Sequence, residues 1–243
     1  MAHCIKHTQC PECVKLGKDR NGDNLAIYDD GSSYCFCCGF YTKSNGMQAF
    51  RKAAPRTDKP IQLPFDSTTD LPDFVREWTR KYSLTDLDLQ LHNVMWSDHW
   101  KRLLFPIMID GKLAAWQGRS FDPTNKAKWY SQGNIHEILY IIGNTQSNHV
   151  VLTEDLISAI CVAKVHQVCA MPIFGSHVST KTILRLKRYY DTIDVWLDYD
   201  KAKESMKFSN TIRSIGLKSK SIITPKDPKE YEQEEIKEWL YKS

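Results

Sequence analysis

The chain has 243 residues, enough for one sizeable domain and a smaller one. With 42% hydrophobic and 26% charged residues it has the composition of a globular protein, which excludes a wholly disordered chain. The formal net charge of +4 is too small to argue for nucleic-acid binding by itself, so such binding would need local basic patches.

No apolar run approaches a membrane span, and the stretch before Cys10 lacks the apolar core of a secretory signal. The expected address is the cytoplasm (the host cytoplasm if the chain is viral). Thiols stay reduced there, and clustered cysteines are more often metal ligands than disulfides. Most of the eight cysteines lie within the first 38 residues. Cys10-Pro11-Glu12-Cys13 and Cys35-Phe36-Cys37-Cys38 form two C-x2-C knuckles, each setting two thiolates on a tight turn. Two such turns complete a tetrahedron around zinc. The phasing favours Cys10, Cys13, Cys35 and Cys38 as ligands, with Cys4, His7 and Cys37 as competitors. Tyr34, Phe36, Phe40 and Tyr41 are expected to pack around the site. The bland alternative is a set of free buried cysteines.

Residues 46–66 carry Pro55, Pro60 and Pro64 among Arg51, Lys52, Arg56 and Lys59, which reads as an extended basic linker. Pro72 then opens a helix from Asp73. Residues 103–109 read as a strand, Asp110-Gly111 as a hairpin turn, and residues 112–118 as a second strand.

From His149 short apolar runs alternate with helical spacing. Strands are expected at 150–153, 168–173, 193–197 and 221–223, with helices between them, the third over roughly 201–214. That rhythm predicts a parallel sheet with helices on its faces. Residues 229–241 read as a charged amphipathic helix, which either packs on the core or docks a partner.

Acidic residues fall at two expected strand ends: Glu154-Asp155 after the first, and Asp198 and Asp200 after the third. In open parallel sheets ligand sites lie beyond the carboxyl ends of strands. In an extended chain Asp198 and Asp200 project the same way and repel unless a cation lies between them. Magnesium or manganese suits such oxygen donors and would serve phosphoryl or nucleotidyl transfer. A solvated strand end, with Asp200 capping the next helix, is the plain alternative. Asp227 could reach the same edge or serve as a turn former.

Together these residues resemble the phage-type DNA primases, of the bacterial-primase lineage with a TOPRIM catalytic core. The resemblance covers nearly the whole chain. Cys10-Pro11-Glu12-Cys13, Asp30-Gly31 and Cys35-Phe36-Cys37-Cys38-Gly39 look like the family's zinc-binding domain, which reads the template trinucleotide where priming starts. Gly118-Arg119-Ser120 and Lys128-Trp129-Tyr130 look like the first half of its RNA polymerase domain. There Arg102, Arg119 and Lys128 match basic residues that hold template or nucleotide. Thr153-Glu154-Asp155-Leu156-Ile157-Ser158-Ala159 and Asp198-Tyr199-Asp200 look like the two TOPRIM motifs. Carried over, Glu154 assists proton transfer or metal binding, and Asp198 and Asp200 hold magnesium.

The implied fold is α/β, with a zinc ribbon (1–45), a basic linker (46–66), a mixed N-terminal subdomain (67–145), a parallel-sheet TOPRIM core (146–228) and a C-terminal helix (229–243). The implied function is a nucleotidyltransferase that makes short RNA primers on single-stranded DNA from nucleoside triphosphates for replication. No P-loop motif occurs, so a separate replicative helicase is the expected partner. Many relatives have Gly after the motif glutamate and an acid four positions on. Asp155 and Ser158 stand there in this chain, so Asp155 is expected to take the place of the missing acid. A TOPRIM-type nuclease and a non-catalytic zinc-dependent DNA-binding adaptor are the competing functions.

Overall fold

The structure is a computed structural model that describes residues 3–19, 21–35, 37–46, 48–50, 60–125, 127–175 and 177–242. Phe36 and residues 51–59 of the expected linker lie outside the described residues. The chain divides into two compact units, Met1–Pro60 and Ile61–Ser243.

The N-terminal unit is an antiparallel five-stranded meander: β1 (Cys4–Thr8), β2 (Leu25–Tyr28), β3 (Ser33–Cys35), β4 (Phe40–Thr42) and β5 (Gln48–Phe50), in that order across the sheet. A one-turn helix, α1 (Pro11–Lys15), follows β1. Asp30 builds the β2–β3 turn by accepting from the Ser32 amide and hydroxyl through Oδ1 at 2.9 and 2.6 Å. The sheet runs beyond residue 45, into the stretch read as linker. Gly46, with φ +78°, closes a turn that folds β5 back along β4. The buried cluster is small: Cys10, Cys13, Leu25, Cys35 and Phe40, with Ile27 and Cys38 against it. Tyr34 and Tyr41 are only half-buried and lie outside that cluster.

The second unit begins with two helices, α2 (Asp73–Arg80) and α3 (Asp86–Leu91), the latter closed by a capping box between Thr85 and Asp88. An antiparallel meander follows: β6 (Met95–Ser97), β7 (Arg102–Ile109), β8 (Lys112–Ser120) and β9 (Trp129–Gln132). Asp110 and Gly111 both have positive φ, 49° and 72°, and make the expected hairpin turn. Gly118 is required on β8, because a Cβ there would lie 3.0 Å from the Trp116 ring and 3.2 Å from the Arg102 stem.

The second sheet comprises β10 (Ile142–Gly143), β11 (His149–Thr153), β12 (Cys169–Pro172) and β13 (Thr192–Trp196), in the order β10-β12-β11-β13. β12, β11 and β13 are parallel, while β10 is an antiparallel edge strand that the apolar pattern did not reveal. Side chains alternate across the sheet. Val151 enters one core with α4 (Leu156–Ala163) and α7 (Gln233–Tyr241). Val150 and Leu152 enter the other with α5 (Thr180–Leu186) and α6 (Ala202–Ser214). The first core also takes Leu103, Phe105 and Ile107 from β7, so the two sheets share one apolar interior.

Two sequence expectations need correction. Residues 221–223 form no regular strand; this segment makes isolated parallel bridges, Thr192 to Lys218 and Val195 to Ser221. The Lys220 amide instead donates to Asp194 Oδ1, and Thr224 Oγ1 accepts from the Trp196 indole, which draws the segment out of a ladder. The helix expected from 229 starts later. Pro228–Glu230 is a 3-10 turn closed by an Asp227/Glu230 capping box, and Tyr231 is extended and buried. Only then does the Glu232/Glu235 box open α7. Ile236 and Leu240 of α7 are buried in the shared core.

Candidate metal centre and active-site cleft

The four predicted sulfurs come together. Cys10, Cys13, Cys35 and Cys38 place their Sγ atoms within 4.8 Å of one another, with Cys10–Cys38 at 3.7 Å and Cys13–Cys35 at 3.5 Å. A tetrahedral zinc site with ordinary Zn–S bonds has S···S edges of about 3.8 Å, so the cluster fits zinc. The competitors are elsewhere: Cys4 and Cys37 are exposed, and His7 Nδ1 lies 3.0 Å from the Asp23 carbonyl oxygen. Burial pushes the Cys10 and Cys13 thiols up. Burial also raises Cys35, but hydrogen bonds from the backbone amides of Cys38 and Cys37 and from the Cys38 and Cys10 thiols together outweigh it and bring this thiol down to about 7. The buried Asp19 carboxylate accepts from the Cys10 amide and fixes the first knuckle, a role the sequence did not signal.

In the second unit a cleft of ≈ 290 Å³ opens between the two sheets. Trp78, Gln117, Arg119, Lys128 and Trp129 line it from the antiparallel half. Glu154, Asp155, Asp198 and Lys229 line it from beyond the ends of β11 and β13. Among the described residues only the four cysteines bring ligand atoms as close as a bare metal site; the carboxylates here are spread around an ammonium.

Asp155 is the N-cap of α4. Its Oδ1 accepts from the Ser158 amide at 2.8 Å, and its Oδ2 lies 2.6 Å from Lys229 Nζ. Both oxygens are thus engaged. Lys229 also lies 3.0 Å from Asp227 Oδ2 and 3.5 Å from Asp198 Oδ2. Asp227 therefore does reach the strand edge, where its Oδ1 accepts from the Tyr199 amide at 3.2 Å. Burial disfavours a charged Lys229, yet the negative charges of Asp155, Asp198 and Asp227 hold its ammonium well above the usual lysine range.

Among the described residues two buried carboxylate oxygens have no hydrogen-bond partner, Glu154 Oε2 and Asp198 Oδ1. Burial pushes Glu154 up, against the charge of Lys201. Burial likewise pushes Asp198 up to about 7 despite Lys229 beside it, and the charges of Asp155, Asp227 and Glu154 add to the rise. Asp198 and Asp200 do not project alike, because the chain leaves the extended state at Asp198 for the 3-10 turn Tyr199–Lys201. Asp200 is more exposed and pairs with Lys201 at 3.3 Å.

The three basic residues part company. Arg119 stacks between Trp78 and Trp129, 5.6 and 5.8 Å from the ring centroids, and makes no ion pair among the described residues. Lys128 is exposed at the cleft. Arg102 does not face it. Its buried guanidinium donates to the carbonyls of Gly118, Ala127 and Lys128 at 2.9, 2.9 and 3.3 Å. Those donors hold the β8–β9 connection, and Arg102 is not among the residues that line the cleft.

Sequence reasoning missed four contributors. Lys229 looked like an ordinary helix-surface charge, although it follows Asp227-Pro228 at the marked strand edge. Gln117, buried with an unpartnered Oε1, shares the Arg119 face of β8 by simple alternation. Trp78 stacks on Arg119 from a helix distant in sequence. Phe174 takes φ 56°, rare for an aromatic residue, just before Gly175 donates to the Glu154 carbonyl at 3.2 Å.

The sequence matches no known family profile and no curated protein. Solved structures do match. The zinc-binding and RNA polymerase domains of Aquifex aeolicus primase superpose with a TM-score of 0.57 at 11% identity, covering 99% of this chain and 80% of that one. The RNA polymerase domain of Mycobacterium tuberculosis primase DnaG gives 0.56 at 13% identity, over 69% and 75% of the two chains. A DnaG primase catalytic domain bound to single-stranded DNA gives 0.54 at 12%, over 68% and 70%. At these identities the likeness is one of fold: this chain has the fold of DnaG-type primases over nearly its whole length.

Proposed function

We propose that this chain is a DNA primase of the phage type, synthesising short RNA primers on single-stranded DNA by nucleotidyl transfer that depends on magnesium or manganese. The observation that carries the proposal is the cleft itself. A stacked, unpaired arginine and an exposed lysine face carboxylates whose buried oxygens, Glu154 Oε2 and Asp198 Oδ1, have no protein partner. Anionic phosphates satisfy the first side and a divalent cation the second.

The carboxylates suit magnesium, which takes oxygen ligands and retains waters where the protein offers few. Glu154 and Asp198 would hold it, with Asp200 at the solvent side. When bound, the ion neutralises the triphosphate and helps ionise the attacking 3'-hydroxyl. Arg119, pre-oriented by two indole rings, would grip phosphate oxygens bidentately, and Lys128 would add a point charge at the rim. Glu154, desolvated and unpaired, is placed to accept the hydroxyl proton. Asp155 and Asp227 act by positioning Lys229. The zinc ribbon (1–45) would read the template, and 67–145 with 146–228 would form the polymerase domain. A separate replicative helicase would be a partner, although the apolar face of α7 is already used by this chain's own core.

The test is an assay with single-stranded DNA of varied trinucleotides, ribonucleoside triphosphates and magnesium, comparing wild type with Asp198→Asn. Removing one charge from the metal side should cost about 100-fold or more in primer synthesis. Template degradation by wild type alone would point to the nuclease, and DNA binding without either reaction to the adaptor.

A further inference from the structure

The carboxylate cluster contains a cation of its own. Lys229 Nζ sits 2.6 Å from Asp155, 3.0 Å from Asp227 and 3.5 Å from Asp198, and the residue is largely withdrawn from solvent. Its position is fixed from both sides. Pro228 and the Asp227/Glu230 capping box lock the turn that presents it, and Asp155 is itself locked as the cap of α4. A surface lysine meeting one carboxylate is common and weak. One ammonium facing three carboxylates at a strand edge is a different arrangement, because it takes a position that a metal ion would otherwise be needed to fill.

The cluster is therefore divided. Lys229 serves Asp155, Asp227 and Asp198 Oδ2. It does not serve Asp198 Oδ1 or Glu154 Oε2, which are buried and unpartnered; Asp200, whose charge acts on Glu154, pairs with Lys201 instead. We infer that Lys229 is a resident cation of this cluster, which holds the strand ends together in the metal-free protein and confines the site to a single divalent ion on the side of Glu154 and Asp198 Oδ1. The inference rests on the magnesium reading above, and does not depend on primer synthesis.

Two consequences are measurable on the full chain without DNA or nucleotide, in chelator-free, magnesium-depleted buffer that leaves zinc in place. Lys229→Met keeps the aliphatic stem and removes the charge. It should melt about 5–10 °C below wild type without magnesium, and millimolar magnesium should recover most of the loss while moving wild type much less. Electron paramagnetic resonance titration with Mn2+ should count one ion on wild type and on Lys229→Arg, and one more on Lys229→Met. Equal melting of wild type and Lys229→Met in metal-free buffer, or equal magnesium shifts, would overturn the inference. So would two Mn2+ ions on wild type, a result that stands even if Lys229→Met does not fold. Failure of the magnesium reading has a separate signature, no Mn2+ on any of the three proteins, and the inference falls with it.

Discussion

Stripping zinc should unfold the N-terminal unit and leave residues 61–243 folded. The magnitudes come from what each unit buries. Among the described residues of the N-terminal unit, the buried apolar side chains outside the cysteines are Leu25, Ala26 and Phe40. Leu25 and Phe40 contribute about 1.5–3 kcal/mol each. A structural zinc site contributes about 10–16 kcal/mol near neutral pH, so the metal outweighs the apolar core. The second unit relies on two large cores, with Trp116, Trp196, Phe105 and many aliphatics fully buried, and has no such dependence. Protein purified without chelator should carry one zinc per chain. Cys13→Ser should lose it, and limited proteolysis should then cut within residues 3–50 while sparing 61–243. Cys4→Ser and Cys37→Ser should keep both zinc and protection, since those thiols are exposed and outside the cluster. Near-zero zinc in wild type, or a chelated N-terminal unit as protease-resistant as the native one, would refute the reasoning.

Two further outcomes concern the cleft. Arg119→Ala should raise the KM for nucleotide about 10–100-fold, as expected for losing hydrogen bonds to a charged group, and Lys128→Ala should raise it less; Arg102→Ala should instead lower the melting temperature, because its donors hold backbone carbonyls. The pH dependence follows from Asp198, raised in the fold to about 7, and Glu154, raised in the same direction. Between the ordinary carboxylate range and about 7 the folded chain keeps a proton that the unfolded chain has lost. The contribution of these groups to stability therefore falls as pH rises through that window and is flat above it. Melting curves from pH 5 to 8 without magnesium should show this fall, Asp198→Asn should lessen it, and magnesium affinity should rise with pH and level off above about 7.

What could be read from the sequence was whatever local rules control. Paired C-x2-C spacing picked out the four ligands from eight cysteines, because each knuckle is set by its own tight turn. Apolar periodicity placed β7, β8, β11, β13 and α4 closely, since each buries a face in a core. Where neighbours decide, the pattern failed. β10 is two residues long and exists only because β12 offers an edge. Ser221 to Ile223 looks like a strand, but the Lys220 amide before it and the Thr224 hydroxyl after it are taken by the side chains of Asp194 and Trp196. The carboxylates were legible as strand-end acids, whereas their partner Lys229 was not, because its meaning comes from Asp155, which is distant in sequence. Arg102 and Arg119 are indistinguishable by type; strand alternation sends one to carbonyl oxygens behind Gly118 and the other between two indoles.

That alternation is also what joins the two halves into one site. Gln117 and Arg119 lie on one face of β8, and Trp129 is the direct cross-strand partner of Arg119 on β9. The shared core brings that face over the carboxyl ends of β11 and β13. The result is a cleft with Arg119 and Lys128 on one wall and, on the other, carboxylates gathered around Lys229. A simple anion would be held by Arg119 and Lys128 but repelled by Glu154 and Asp198, and a simple cation would meet the opposite problem. On the proposed reading a polyphosphate carrying a divalent ion would satisfy both walls at once, with Arg119 holding phosphate oxygens and Glu154 and Asp198 holding the ion. On that reading a metal-bound polyphosphate should bind better than either component alone, and binding of each should strengthen that of the other.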